Sequence, residues 1–96
     1  MAAMDLLGRR WSLRILWELR DGPLGARTLL IQCDDMSSSV LYQRLRELTE
    51  AGIIARADGD DGRSAYRLTD LGQSLGEALA PLDAWARRWA KRRRTT

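Results

Sequence analysis

The chain has 96 residues, 45% of them hydrophobic and 30% charged, and no apolar run approaches the roughly 20 residues of a membrane span. One soluble globular domain spanning residues 1–96 is expected, because a chain of this length carries a single core. A net charge of +3 from sixteen basic side chains suits a polyanionic partner, while the absence of histidine excludes Ser-His-Asp triads, Cys-His dyads and histidine metal sites.

From Trp11 to Leu19 the residues WSLRILWEL place Trp11, Ile15, Leu16 and Leu19 on one buried face of a first helix. Leu13 and Trp17 form a second apolar stripe on the same helix, which therefore needs cover from something beyond its own core. Asp21-Gly22-Pro23 ends it. A short second helix follows from Ala26 to Cys33, with Ala26, Leu29 and Cys33 on its core face, and Asp34-Asp35 interrupts it. Ser37 reads as the N-cap of a third helix, with Met36 and Leu41 as a hydrophobic staple. The core stripe of that helix is Leu41, Leu45 and Leu48, and Ala51-Gly52 closes it. Two helices joined by so short a connection predict a helix-turn-helix.

Ile53–Arg56 and Ala65–Leu68 are extended stretches flanking Asp58-Gly59-Asp60-Asp61-Gly62, which predicts a β-hairpin. Thr69 with Asp70 caps a last helix, whose apolar positions Leu71, Leu75, Leu79, Leu82, Trp85 and Trp89 recur every three or four residues. Pro81 interrupts that run and predicts a kink or a break. Six basic residues lie between Arg87 and Arg94, of which Arg92, Arg93 and Arg94 are expected to fray. The order helix, helix, helix, hairpin, helix predicts a mainly α fold with a small β-hairpin: a winged helix-turn-helix with an added C-terminal dimerisation helix.

The segments LLGRRWSLRILWELRDGP, SSSVLYQRLRELTEAGIIAR, YRLTDLG and LDAWARRWA, in that order from Leu6 to Trp89, resemble the HxlR family of bacterial winged-helix transcription regulators. The wing Asp58-Gly59-Asp60-Asp61-Gly62-Arg63 is more similar to the Asp-Asp-Gly-Arg wing of MarR-type regulators than to the longer, proline-containing HxlR wing. Both resemblances imply a homodimer that binds double-stranded DNA, with steric repression the commoner outcome. They also imply that the terminal helices form a two-fold interface.

Subtracting the leucine stripe from the third helix leaves Ser38, Ser39, Tyr42, Gln43 and Arg46, with the capping Ser37 beside them, as the DNA-reading face. Gln pairs with adenine, Arg with guanine, and Ser and Tyr with base edges or phosphate. Arg63 in the wing is the expected contact to the minor groove or flanking phosphates, held against its acidic neighbours. Leu13, Trp17, Leu82, Trp85 and Trp89 offer more apolar surface than one short chain buries, and are the expected dimer interface. Trp11, Trp17, Trp85 and Trp89, with room left by Ala26, are a candidate pocket for a small aromatic effector. Cys33 is expected to be a buried, unreactive thiol without a cationic neighbour. Redox-sensing members of the resembled family carry their cysteine before the first helix, where this chain has none.

No catalytic residue, metal or cofactor is expected. Met1-Ala2-Ala3-Met4 lacks the basic segment and apolar stretch of a secretory signal, so the expected location is cytoplasmic and the membrane plays no part. The alternative function is a winged helix used for protein-protein assembly without DNA contact.

Overall fold

The computed structural model describes residues 2–59 and 63–95. In chain order these form α1 (Ala2–Leu7), α2 (Ser12–Glu18), α3 (Ala26–Gln32), α4 (Ser38–Glu50), β1 (Ile54–Asp58), β2 (Ser64–Leu68) and α5 (Asp70–Thr95), with a 3-10 turn over Leu19–Asp21 extending α2. This is the predicted winged helix-turn-helix with its long C-terminal helix, and the third helix of the sequence reading is α4.

The local chemistry explains the boundaries of α4. Ser37 has extended backbone and its Oγ accepts from the Val40 amide, satisfying one of the orphan donors of the first turn. Met36 and Leu41 are both buried in the same cluster, as a hydrophobic staple requires. At the other end Gly52 takes φ +79°, a left-handed conformation that glycine adopts without a side-chain clash.

The core lies where the helix-turn-helix meets the hairpin. Leu41, Leu45 and Leu48 of α4 pack with Ile15, Leu16 and Leu19 from α2, Leu29 and Cys33 from α3 and its end, and Ile53, Ile54, Tyr66 and Leu68 from the hairpin region. Strands β1 and β2 are antiparallel in the register Ile54↔Leu68 to Asp58↔Ser64. Leu24, between α2 and α3, adds a further bridge by exchanging two backbone hydrogen bonds with Tyr66 at 3.0 and 2.8 Å. The wing is thereby tied to the front of the helix-turn-helix.

Thr69 joins the hairpin to α5. Its hydroxyl accepts from the Gly72 amide at 3.2 Å and lies 2.6 and 3.0 Å from the carbonyl oxygens of Gly52 and Ile53. A Cβ at position 72 would collide with the Ile53 carbonyl oxygen, so the Thr-Asp-Leu-Gly run lets the start of α5 sit directly on the backbone after α4.

The structure departs from the sequence reading in two places. Helix α1 was not anticipated, because Met1–Arg10 has no extended apolar period; Leu6 and Leu7 alone lean on the core while Met4 is exposed. Of the kink or break expected at Pro81, the break is absent, since α5 is continuous from Asp70 to Thr95. The amide missing at Pro81 leaves the carbonyl of Glu77, an exposed residue where water can serve as donor. The helix reaches Thr95, and the Arg93 guanidinium lies 4.8 Å from the Trp89 ring centroid.

Helix α5 carries the molecule beyond a sphere. The radius of gyration is 14.2 Å, against about 12.5 Å for a compact chain of this length. Its first turns touch α2 and the hairpin, and its second half projects with Leu82, Trp85 and Trp89 about half exposed.

Candidate nucleic-acid interface

With its leucine face buried, α4 is held rigidly and its opposite face is free. Ser38, Ser39, Tyr42, Gln43 and Arg46 are all exposed there. Ser37 and Ser39 place their hydroxyls 3.3 Å apart at the cap. The first turn therefore presents small hydroxyls, and the middle of the helix presents an amide, a phenol and a guanidinium.

The remaining charged residues of α4 have a different role. Arg44 is only 13% exposed; its Nη1 lies 2.6 Å from Glu47 Oε1, and its Nε donates to the Arg10 carbonyl at 2.8 Å. Glu47 Oε2 in turn lies 2.9 Å from Arg9 Nε. One carboxylate thus joins α4 to the link between α1 and α2. That link is held in an unusual conformation, since Trp11 has φ +80°, a region that a bulky side chain rarely occupies. The Trp11 ring packs against the core with Arg10 at 5.4 Å from its centroid, and Ile15 donates to the Trp11 carbonyl at 3.0 Å. The Gly-Arg-Arg-Trp run carried the family resemblance, but its link to Glu47 was not foreseen.

On the hairpin, Arg63 is exposed, and its carbonyl accepts from the Gly59 amide at 2.7 Å, closing the base of the loop. Asp60, Asp61 and Gly62 lie outside the described residues, so the expected pairing of Arg63 with those acids does too.

A second face lies between α2 and α5. Leu13, Leu16, Trp17, Leu75, Leu79 and Leu82 line an open cavity of about 530 Å³ there. Of the five residues expected to form a pocket (Trp11, Trp17, Trp85, Trp89 and Ala26), the structure brings only Trp17 to this cavity. Trp11 and Ala26 pack on the core, whereas Trp85 and Trp89 stack on each other at 5.8 Å further along α5. Of the expected interface residues, Leu13, Trp17 and Leu82 line the cavity and the tryptophan stack continues its apolar surface.

Cys33 is buried, as anticipated, and desolvation pushes its thiol pKa up. It does have a cationic neighbour, contrary to expectation. The positive charge of Arg14 pulls partly in the other direction, while its guanidinium donates to the Gln32 carbonyl at 3.0 Å and pairs with Glu18 at 3.6 Å. The net direction stays upward. Among the described residues there is no cluster that could hold a metal ion, and no helix long and apolar enough to cross a membrane.

A chain with this fold, a helix-turn-helix followed by an antiparallel hairpin, is a winged helix-turn-helix protein. Residues 6–94 match the HxlR-like helix-turn-helix family, and the chain belongs to it. It is 32% identical over 89 residues to YvaP, an uncharacterized HTH-type transcriptional regulator of Bacillus subtilis, covering 91% of this chain and 82% of that one. The crystal structure of quinone-bound YodB from the same organism superposes with a TM-score of 0.79 at 31% identity, over 91% of this chain and 92% of that one. A MarR-family regulator from Enterococcus faecalis gives a TM-score of 0.81 at 28% identity, over 99% and 88%. The family is one of transcription regulators, not enzymes.

Proposed function

We propose that the chain is a homodimeric repressor that binds a pseudo-palindromic operator, with α4 in the major groove and the β1–β2 wing on the flanking DNA. The observation that carries this reading is the division of α4 into a buried leucine face and an exposed Ser38, Ser39, Tyr42, Gln43 and Arg46 face. Such a helix projects side chains to base edges from a fixed backbone, which sequence reading requires. Arg63 in the wing supplies a cation for backbone or minor-groove contact. Two copies meet through Leu13, Trp17, Leu82, Trp85 and Trp89, large apolar groups that one chain leaves exposed.

The α2–α5 cavity, apolar and lined by Trp17, is of a size to take a small aromatic effector. The likeness to a quinone-bound relative supports that class of ligand. The decisive test is fluorescence anisotropy of the protein on its own upstream region and on a scrambled duplex. Preference for the upstream region supports the reading; equal binding or none favours an assembly module that does not read DNA.

A further inference from the structure

We infer that Arg56, on strand β1, is a ligand for a DNA backbone phosphate and grips, with Tyr42, the strand that passes between the reading helix and the wing. This rests on the reading under Proposed function and adds an interaction that the reading did not contain.

A cleft of about 260 Å³ separates α4 from the hairpin. Tyr42, Arg46, Thr49 and Glu50 form its helix wall, and Arg56 and Tyr66 its hairpin wall. Register places Arg56 opposite Tyr66, so the two side chains share one face of the hairpin. The Tyr66 ring is buried and fixed, and the Arg56 guanidinium lies 6.0 Å from its centroid while its residue stays exposed. Arg56 is thus aimed into the cleft over an immobile floor.

The charge pattern supports an anion there. Arg9, Arg14, Arg20, Arg44 and Arg87 are each in an ion pair, whereas among the described residues neither Arg46 nor Arg56 is. Glu50 is the one carboxylate in the lining and pairs with neither. Thr49 donates its hydroxyl proton to the Leu45 carbonyl at 2.7 Å, so the side-chain donors left in the lining are Arg46, Arg56 and the phenols of Tyr42 and Tyr66. Tyr42 is half exposed.

Duplex geometry names the occupant. When a helix lies in the major groove and a wing on the flanking DNA, the sugar-phosphate strand that borders the groove must cross the angle between them. That angle is this cleft. A phosphodiester has one negative charge and two free oxygens, which a guanidinium and a phenol on facing walls can share.

Binding of the full chain to cognate and scrambled duplexes, titrated at several salt concentrations, tests this with Arg56→Ala and Arg56→Lys. Arg56→Ala should weaken both duplexes by the same factor, about tenfold, as when a hydrogen bond to a charged group is removed. Its salt slope should fall by about 0.9 for each phosphate left without its cation, whereas Arg56→Lys keeps the slope. Thermal melts of both variants should match the wild type. Unchanged affinity and slope would overturn the inference while leaving the regulator reading intact. Loss of cognate preference alone would make Arg56 a base reader and also overturn it. Displacement of DNA by low-millimolar inorganic phosphate at constant ionic strength would make the cleft a free-anion site, with the same consequence. A wild-type protein that binds neither duplex would instead overturn the reading itself.

Discussion

Arg9 and Glu47 meet at 2.9 Å across the boundary between the α1–α2 link and α4, although they lie 38 positions apart in sequence. Glu47 also holds Arg44, so its two oxygens serve unequal partners. Arg9 is half exposed, and a pair of that kind contributes about 0–1 kcal/mol. Arg44 is largely buried and keeps only the Arg10 carbonyl when the carboxylate goes.

Glu47→Ala should therefore cost about 1–3 kcal/mol, and Arg9→Ala under about 1 kcal/mol. At about 4–8 °C per kcal/mol for a domain of this size, thermal melts separate the two variants. Equal losses would mean that Arg44 gains nothing from its carboxylate.

The stacked Trp85 and Trp89 rings are 50% and 49% exposed in one chain. If a second copy covers them, the wild type should sediment at twice 10.9 kDa at micromolar concentration. The dimer should persist from low to high salt, because apolar burial is not screened. Replacing either ring with alanine should weaken association by about 2 kcal/mol or more, roughly thirtyfold, as for a central aromatic anchor. A wild type that stays monomeric, or rings whose loss leaves the dimer unchanged, would remove the interface from α5.

Burial raises the Cys33 pKa above its ordinary value of 9.0, against the weaker opposing pull of Arg14. The folded state thus holds the thiol proton more tightly than the unfolded state. That contribution to stability is complete below the ordinary thiol range and is lost as pH rises through the folded value. The stability difference between the wild type and Cys33→Ala should be flat from pH 6 to 8 and should fall above about pH 9. Alkylation of the native protein at pH 7.5 should be much slower than that of a free thiol. Fast alkylation would show that Arg14 wins and that the thiol is activated.

What was legible in the sequence was local. Leu41, Leu45 and Leu48 repeat with the helical period, and Ser37 caps three residues before an amide it can reach, so α4 and its exposed face follow from neighbours along the chain. Thr69 and the hairpin follow in the same way. Long-range chemistry was hidden: nothing near Glu47 announces that its second partner is Arg9, and nothing near Cys33 announces Arg14. The pocket was misplaced because tryptophan count says nothing of direction; Trp11 turns inward on a left-handed backbone while Trp85 and Trp89 stack on each other. Pro81 does not end α5 because the carbonyl it deprives belongs to an exposed residue.

The central claim is that the exposed face of α4 reads bases and the wing supplies affinity. Gln43→Ala, Arg46→Ala and Arg63→Ala, each titrated against cognate and scrambled duplexes at several salt concentrations, test it most directly. Gln43→Ala and Arg46→Ala should each cost about 1–3 kcal/mol on the cognate duplex and much less on the scrambled one, nearly doubled where both protomers bind. The two half-sites protected should lie about 10 base pairs apart. Arg63→Ala should weaken both duplexes and lower the salt slope. If instead the two α4 variants weaken both duplexes equally while Arg63→Ala alone erases discrimination, α4 is the clamp, the wing is the reader, and the account is contradicted.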